Sequence, residues 1–362
     1  MNNSTGATAA SPDNAGDLAV LIGRFQPFHN GHAFLLRRAL DTAPRVAVVL
    51  GSSHRARNAK NPFTWRERAA MIAATLSEEE RARVAFIPLR DYYDDARWSA
   101  ALRRAVEAQA GEGAQGSQGA RIALVGHFKD DSSYYLNHFL QWRLVAAENA
   151  GGIDATTIRG ILYDATSPAQ ALAKLDSLVP SAVRATLQSW MASPEYVALA
   201  EEYRLVANYK KTWATAPYAP IFSTVDAVVT AANHVLLIRR GGFPGKGQWA
   251  LPGGFVEPRE RLLKSTLREL TEETCLAVDA SVLLAALREV KVFDHPDRSQ
   301  RGRTITHAHY FALQGAALPA VQAGDDAAHV RWMPIDQLAA IEEEFFEDHF
   351  HILDTFLHLL AE

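Results

Sequence analysis

Short apolar runs recur along the first half of the chain, at Leu18 to Ile22, Arg45 to Leu50, Val84 to Leu89 and Arg121 to Val125. Between them lie stretches of helical spacing such as Ala33 to Leu40 and Trp65 to Leu76. Runs this short suit buried strands, and apolar positions recurring every three or four residues suit one face of a helix. Strand alternating with helix predicts a parallel sheet with helices on both faces. Gln109 to Ala120, built from Ala, Gly, Gln, Glu and Ser, interrupts the alternation and reads as a flexible surface loop of low complexity. From Ser181 to Trp213 the pattern is helical, with Leu187, Trp190, Met191, Tyr196, Leu199 and Tyr203 as candidates for buried faces, until Ala216-Pro217-Tyr218-Ala219-Pro220 breaks it. After the break, Ser223 to Thr230 and His234 to Arg239 predict a hairpin, Ser281 to Phe293 and Thr304 to Leu313 further strands, and Glu342 to Leu360 a closing helix. That half reads as a mixed sheet with helices, and no internal repeat links it to the first.

The length of 362 residues exceeds one ordinary core and accommodates two. The pattern divides them into a disordered tail over residues 1–17, an α/β domain over 18–180, a helical linker over 181–215 and a second domain over 216–362. With 48% hydrophobic and 22% charged residues the chain is globular in composition. A net charge of -4 supplies no general basic field, so the expected partners are small nucleotides and not nucleic acid. No run of about 18 apolar residues predicts a membrane span, and the Ser/Thr/Asn/Gly/Ala-rich start lacks the basic and apolar regions of a leader. The only cysteine, Cys275, excludes an intramolecular disulfide and a Cys-based zinc site, and suits a reducing cytoplasm. Self-association into a homo-oligomer is compatible with the sequence.

Two segments carry chemistry. In Gly23-Arg24-Phe25-Gln26-Pro27-Phe28-His29-Asn30-Gly31-His32, an apolar strand runs into a turn with glycines at Gly23 and Gly31, where backbone N–H groups and a helix N-terminus can approach phosphates. His29 and His32 stand three apart at the expected helix start, so both imidazoles can face the same phosphates as donors. The chemistry they would serve is in-line attack on phosphorus, in which electrostatic positioning outweighs covalent help. The second segment places Gly254, Glu260 and then Arg268-Glu269-Leu270-Thr271-Glu272-Glu273-Thr274-Cys275-Leu276. On a helix Glu269, Glu272 and Glu273 share one face and repel one another unless a cation lies between them; hard oxygen ligands suit Mg²⁺ or Mn²⁺. A metal there would activate water and neutralise charge on a pyrophosphate, with Arg268 and Glu260 fixing the carboxylates.

The first segment resembles the His-x-Gly-His signature of the nucleotidylyltransferase superfamily, in the version of its archaeal-type nicotinamide mononucleotide (NMN) adenylyltransferases. Ile153-Asp154-Ala155-Thr156-Thr157-Ile158-Arg159 resembles that family's second phosphate motif, Ile-Ser-x-Thr-x-Ile-Arg, with Asp154 in place of serine. The resemblance implies a Rossmann-like domain. It implies that His29 and His32 stabilise the transferring phosphate, and that Arg24 and Arg159 grip ATP together with Gly23, Phe25, Gly31, Gly126 and Thr156. Mg²⁺ would bridge the departing pyrophosphate, and Trp98 would stack on nicotinamide while Asp91 orients its amide. Asn61 to Trp65 with Arg68, and Gly126 to Asp130 with Tyr134 and Tyr135, also look like this branch.

The second segment is similar to the Nudix hydrolase box, Gly-x5-Glu-x7-Arg-Glu-U-x-Glu-Glu-x-Gly-U, at every fixed position except Cys275, where the family has glycine. Trp249 to Glu257 before it looks alike. The resemblance implies a Nudix α/β/α sandwich with Glu269 and Glu273 as main metal ligands, Glu272 and the Gly253 carbonyl assisting, and Gly254, Glu260 and Arg268 in support. Related ADP-ribose pyrophosphatases often take a base from a distant loop, for which Glu342, Glu343, Glu344 and Glu347 are the dense candidates. Arg239 and Arg240 are candidates for substrate phosphate. Cysteine at 275 is expected to alter the helix cap more than the ligands, and nothing in the box supplies its thiol with a base.

Together, and with Tyr209 to Trp213, Ala216-Pro217-Tyr218 and Thr224 to Ala227 at the junction, the chain resembles the bifunctional NMN adenylyltransferase/Nudix hydrolase family. The expected reactions are ATP and NMN to NAD⁺ and pyrophosphate, and ADP-ribose and water to AMP and ribose 5-phosphate. Three alternatives stay open: a Nudix half that senses ADP-ribose or NAD⁺ without cleaving it, a different acceptor at the first site, and NADH or a dinucleoside polyphosphate at the second.

Overall fold

The computed structural model describes residues 16–111, 120–126, 139, 141–147, 152–324 and 327–360. The chain divides into two compact units, one formed by the residues up to Ser53 and by Phe63–Ser193, the other by His54–Pro62 and Pro194–Glu362.

In the first unit β1 (Leu18–Gly23), β2 (Arg45–Ser53), β3 (Val84–Arg90), β4 (Ile122–Gly126) and β5 (Arg143–Ala146) form a sheet in the order β3-β2-β1-β4-β5, every pair parallel. The helices are α1 (Asn30–Thr42), α2 (Trp65–Ala73), α3 (Glu78–Ala82), α4 (Asp95–Gly111), α5 (Ala155–Asp164), α6 (Pro168–Leu175) and α7 (Ser181–Trp190). Alternate strand residues explain the layers. Leu18, Val20, Ala47, Val49, Ile87, Leu89 and Leu124 pack on Leu102, Val106 and Ala110 of α4. The intervening Ala19, Leu21, Val46 and Val48 are equally buried, beneath α1 on the opposite face. Successive strands step one way from β1 to β3 and the other way from β1 to β4, so the carboxyl ends of β1 and β4 flank a topological switch point, where open α/β sheets bind ligands. Gly23 and Gly126 are the last residues of those two strands.

In the second unit α8 (Pro194–Thr212) precedes β6 (Ile221–Ala231), β7 (His234–Arg240), β8 (Trp249–Ala250), β9 (Gly253–Phe255), α9 (Leu262–Thr274), α10 (Ala280–Ala286), β10 (Leu287–Phe293), β11 (Arg303–Ala312), β12 (Ala327–Pro334), a 3-10 turn at Ile335–Glu344 and α11 (His349–Leu357). The sheet runs β10-β11-β6-β7-β12, with β9 added to β6 and β8 to β7. The β11–β6 pair is parallel and the others antiparallel, as expected of a mixed sheet. Ala227, Val229 and Leu236 meet Leu270 of α9 and Leu283 of α10 on one face, while Val228, Val235 and Leu237 meet Ile352, Leu353 and Phe356 of α11 on the other. This is the α/β/α sandwich. The β6–β7 hairpin turns through Ala232 and Asn233 with φ of 43° and 60°, the consecutive left-handed residues of a type I′ turn. No helix among the described residues is long and apolar enough to cross a membrane.

Three sequence expectations shift. The strand expected over Ser281 to Phe293 begins as α10, because Leu283 and Ala286 lie three apart on one buried helical face; the strand starts only at Leu287. The helix expected over Glu342 to Leu360 is broken: Phe345 bridges to Trp249, the Phe346 N–H donates to the Trp249 carbonyl at 2.8 Å, and α11 starts at His349. Burying both rings against β8 outweighs continuing the helix. Finally, α4 runs through Gly111, so the first residues of the expected loop at Gln109 are helical. Residues 112–119 of that loop, residues 1–15 of the expected tail, and His127 to Asp130 with Tyr134 and Tyr135 lie outside the described residues.

Candidate active sites

The first site grows from the loop between β1 and α1. Phe25 turns the chain with φ of 51° and folds its ring back over Gly23, where a Cβ would stand 2.8 Å from the ring edge. Only glycine permits that closure. Gln26 is buried and clasps the backbone of Phe63 at both ends, its Nε2 donating to the carbonyl at 2.8 Å and its Oε1 accepting from the N–H at 3.0 Å. His29 then caps α1: its Nδ1 accepts from the His32 N–H at 3.4 Å. An accepting Nδ1 puts the ring hydrogen on Nε2, the donor that a phosphate oxygen needs. His29 and His32 stack at 3.6 Å, and His32 meets the ring of Phe25 edge-on at 4.8 Å. Gly31 is the second residue of α1, directly under the two imidazoles in sequence.

Arg159 joins the second motif to this loop across 133 positions, its Nη1 donating to the Gln26 carbonyl at 2.7 Å and its Nη2 to Thr156 Oγ1 at 3.1 Å. Asp154 is the N-cap of α5, accepting from the Thr157 N–H at 2.9 Å and from Thr157 Oγ1 at 2.7 Å. The acid where the family has serine thus performs a capping role that serine also performs. Arg24 is exposed, and its carbonyl is held at 2.6 Å by Nη1 of Arg68, which donates to Gly51 as well at 2.7 Å. Arg68 is wholly buried, and burial pulls its guanidinium from 12.5 down to about 10 although Asp91 favours its charge. It ties the ends of β1 and β2 together. Asp91 follows β3 and accepts from Ser52 Oγ at 3.1 Å. Trp98 is half-buried and sits edge-on to Phe139 at 6.4 Å in the α4 core layer, so part of the ring belongs to packing. Gly126 closes β4, its carbonyl accepting from the Ala147 N–H at 2.8 Å.

The second site is organised by Arg268 on α9. Its Nε donates to Glu260 at 3.0 Å, its Nη1 lies 2.9 Å from Glu269 and 2.8 Å from Glu272, and its Nη2 donates to the Phe255 carbonyl at 3.3 Å. Burial works against the Arg268 charge, but the Glu272, Glu260 and Glu269 carboxylates outweigh it and hold the guanidinium protonated. Gly254 fits beneath this cluster, since a Cβ there would come 2.6 Å from Glu269 Oε1. Glu273 is buried, accepts from the Gly253 N–H at 2.8 Å, and is pushed up to about 8 by burial and by the charges of Glu269 and Asp226. The structure therefore brings Glu269, Glu273 and Gly253 together, while Glu272 turns to Arg268. Among the described residues no three His, Cys, Asp or Glu groups are drawn to metal-ligand spacing, and Arg268 lies against Glu269 and Glu272. The donor set nevertheless fits a divalent cation: hard carboxylates crowd a glycine cradle, and the most buried of them is driven towards protonation.

Cys275 occupies the left-handed C-cap of α9 with φ of 43° and ψ of 39°, its N–H donating to the Thr271 carbonyl at 2.9 Å. The cap is expected to change with cysteine in the family's glycine position, yet the left-handed geometry that glycine would adopt is kept, at the strain of a non-glycine residue. Of the four acids considered as base, Glu343 pairs with His54 at 3.6 Å and Glu344 with Arg239 at 4.0 Å. Glu342 lies within the 3-10 turn, its carbonyl accepting from the Phe345 N–H at 3.3 Å. Glu347 is raised by burial, and its Oε1 accepts from Ser299 Oγ and from the Gln300 N–H, each at 2.9 Å. Arg239 lies 5.2 Å from the Trp249 ring and Arg240 4.2 Å from Phe346.

A buried ionic set behind this site escaped the sequence reading. Asp226, in the middle of β6, accepts from Thr306 at 2.5 Å and is raised by burial, with Arg298 opposing. Arg298 forms a two-pronged pair with Asp348, 2.9 Å at each prong. His349, beside it, accepts at Nδ1 from the Leu251 N–H at 2.9 Å and is lowered by burial to about 3. A carboxylate inside the apolar run Val225 to Val229 was the available signal; the pairing of positions 298 and 348 had none.

The NUDIX domain family matches residues 220–356, and the cytidylyltransferase-like family matches residues 20–105. A nicotinamide/nicotinic acid mononucleotide adenylyltransferase of Acinetobacter baylyi is 35% identical over 189 residues, 52% of this chain and 94% of that protein. An ADP-ribose pyrophosphatase of Methanocaldococcus jannaschii is 37% identical over 114 residues, 32% of this chain and 62% of that protein. Among solved structures, a bifunctional NMN adenylyltransferase/ADP-ribose pyrophosphatase of Francisella tularensis, complexed with AMP and a manganese ion, superposes with a TM-score of 0.84 at 35% identity, covering 95% of this chain and 99% of that one.

Proposed function

The chain belongs to the bifunctional NMN adenylyltransferase/ADP-ribose pyrophosphatase family, and on that footing we propose that it both makes and consumes pyrophosphate-linked nucleotides. Its first unit transfers AMP from ATP to NMN, giving NAD⁺ and pyrophosphate. Its second hydrolyses ADP-ribose to AMP and ribose 5-phosphate. The observation that carries the reading is the convergence of Arg159 on the histidine loop in one unit and of Arg268 on three box carboxylates in the other.

At the first site no protein nucleophile is required, because the acceptor phosphate of NMN attacks the α-phosphorus of ATP in line. His29 Nε2 and the stacked His32 are the donors for charge developing on the transferring phosphate. Arg159 and Arg24 hold the rest of the triphosphate, while Asp91 and the half-buried Trp98 receive nicotinamide. At the second site Glu269 and Glu273, with the Gly253 carbonyl, would hold the divalent metal, for which we favour Mg²⁺ with Mn²⁺ as its substitute. Bound there, the metal would supply activated water and charge neutralisation at the diphosphate. Arg268 and Glu260 keep the carboxylates aligned. Glu347 is our choice of base among the four acids, since burial raises its proton affinity towards the range in which a carboxylate can take a proton. A reducing cytoplasm suits a chain whose one cysteine is exposed and free.

The test separates the two halves. Purified protein with Mg²⁺ should form NAD⁺ from NMN and ATP, and AMP from ADP-ribose. His32→Ala should abolish the first and spare the second, and Glu273→Gln should do the reverse. NAD⁺ formed by His32→Ala at the parent rate would remove the first assignment; ADP-ribose cleaved no faster than NADH or diadenosine polyphosphates would remove the second.

A further inference from the structure

We propose that Glu202 of α8 is a positioning residue of the hydrolytic site: its two carboxylate oxygens clamp the loops that seat Phe346 and Glu347, and so hold the base in place. The inference rests on the choice of Glu347 as base above, and it reaches outside residues 220–356, the stretch that matches the NUDIX domain family.

α8 lies in the second unit, ahead of that stretch. Leu199 and Glu202 stand one helical turn apart on its buried side, and Glu202 is only 3% exposed. A carboxylate buried to this degree is costly unless its oxygens are met by donors. Both are met by neutral groups: the Gly245 N–H donates to Oε2 at 2.9 Å and Gln300 Nε2 donates to Oε1 at 3.2 Å. The two donors belong to different loops, Gly245 between β7 and β8 and Gln300 between β10 and β11. One side chain of α8 therefore fixes two loops that the chain order keeps apart.

Each of those loops bears on one of two consecutive residues. Gly245 has φ of 76°, and a Cβ there would collide with the Phe346 ring, so its backbone lies directly against that ring. Phe346 is anchored in turn by its N–H, which donates to the Trp249 carbonyl at 2.8 Å. Gln300 turns its side chain to Glu202 and its main-chain N–H to Glu347 Oε1 at 2.9 Å, where Ser299 Oγ donates to the same oxygen. Glu347 itself carries φ of 44°, a left-handed conformation that a non-glycine residue keeps only where its surroundings determine it. Through Gly245 and Gln300, Glu202 reaches both sides of that strained residue. Its hold on Gln300 also bears on the proton. Burial disfavours the charged form of Glu347 and Asp348 does so as well, while the Gln300 N–H, Ser299, Arg301 and Arg298 favour it. A Gln300 N–H kept in line therefore helps the buried carboxylate stay free to accept a proton.

The experiment follows ADP-ribose hydrolysis against pH with Mg²⁺, using the full chain as parent, Glu202→Ala, Glu202→Gln and Gln300→Ala, with NAD⁺ formation as the internal control. Glu202→Ala should lower kcat by about tenfold or more while KM stays within about twofold, because the clamp places the base and not the substrate. The acidic limb of the kcat profile should move to higher pH, since a misaligned Gln300 N–H no longer favours the charged carboxylate. Gln300→Ala keeps the main-chain N–H and removes only its tether, so it should move the limb the same way, and it carries the test if Glu202→Ala does not fold. Glu202→Gln should recover most of both effects, because its amide can accept from Gly245 and donate to a turned Gln300 side chain. A parent-like kcat in Glu202→Ala would overturn the proposal, and so would a lowered kcat with the limb unmoved, which marks a group that serves stability alone. Glu347→Gln examines the base separately: hydrolysis at the parent rate would remove that assignment. The clamp would then be read by hydrogen exchange, which Glu202→Ala should speed in peptides spanning residues 241–248, 294–302 and 345–348; unaltered exchange there would overturn it.

Discussion

Replacing Arg68 with methionine should separate stability from activity. The side chain touches no proposed substrate, yet it donates to the carbonyls of Arg24 at 2.6 Å and Gly51 at 2.7 Å, and more weakly to Thr64 at 3.3 Å. Hydrogen bonds from a charged group contribute about 1.5–3 kcal/mol each, so the two short ones are worth roughly 3–6 kcal/mol. Against this, burial draws the guanidinium from 12.5 to about 10. At about 1.4 kcal/mol per pH unit, that is roughly 3 kcal/mol of charge burial that methionine would relieve. The two nearly offset, and the net loss of stability should be about 0–3 kcal/mol. Activity has no such compensation. Without Arg68 nothing pins the Arg24 carbonyl to the end of β2, and a displacement of about 1 Å at a phosphate-binding loop can cost on the order of 100-fold. Urea unfolding gives the first quantity, and NAD⁺ formation the second, with ADP-ribose hydrolysis as the internal control. Arg68→Lys should recover only part of the rate, because one ammonium cannot reproduce the guanidinium fork. A folded Arg68→Met protein that forms NAD⁺ within twofold of the parent rate would refute the argument.

Three further outcomes follow from particular side chains. His349 is held neutral to about pH 3 in the fold against 6.5 unfolded, so the unfolded chain binds the extra proton between those values. Stability should therefore fall as pH drops below about 6.5, by up to about 1.4 kcal/mol per unit from this group; His349→Asn should flatten the slope in pH-dependent unfolding, and an unaltered slope would exclude His349 as its source. Cys275→Gly relieves a left-handed non-glycine cap at some cost in unfolded-chain entropy, for a net gain of about 0.5–1 kcal/mol by thermal unfolding, with ADP-ribose hydrolysis unchanged. Asp154→Ala should lose about 1 kcal/mol with the α5 cap, whereas Asp154→Ser should keep both the cap and NAD⁺ formation; equal melting curves for the two variants would show that the cap contributes nothing.

Both candidate sites were legible in the order of residues because each is built on a local device. Phosphate binding by a strand-to-helix turn needs its glycines and histidines within one loop, and a carboxylate face needs helical spacing, so Gly23 to His32 and Gly254 to Leu276 carry their geometry in their own spacing. The alternating pattern likewise determined a parallel sheet in one half and a mixed sheet in the other, since a buried face has to repeat with the period of its element. Where two conformations bury the same side chains equally well locally, that pattern did not decide: α10 took residues that read as strand, and Phe345 and Phe346 left the expected last helix to pack on Trp249. What only the tertiary structure decided are the contacts between positions far apart in the chain. Arg68 under Arg24, Arg159 on Gln26, Arg298 on Asp348, and Arg301 over Phe255 each join separate stretches of chain. A charge buried without a partner is too costly to keep, so such residues persist only where folding brings the partner to them, and the chain order carries no mark of which partner that is.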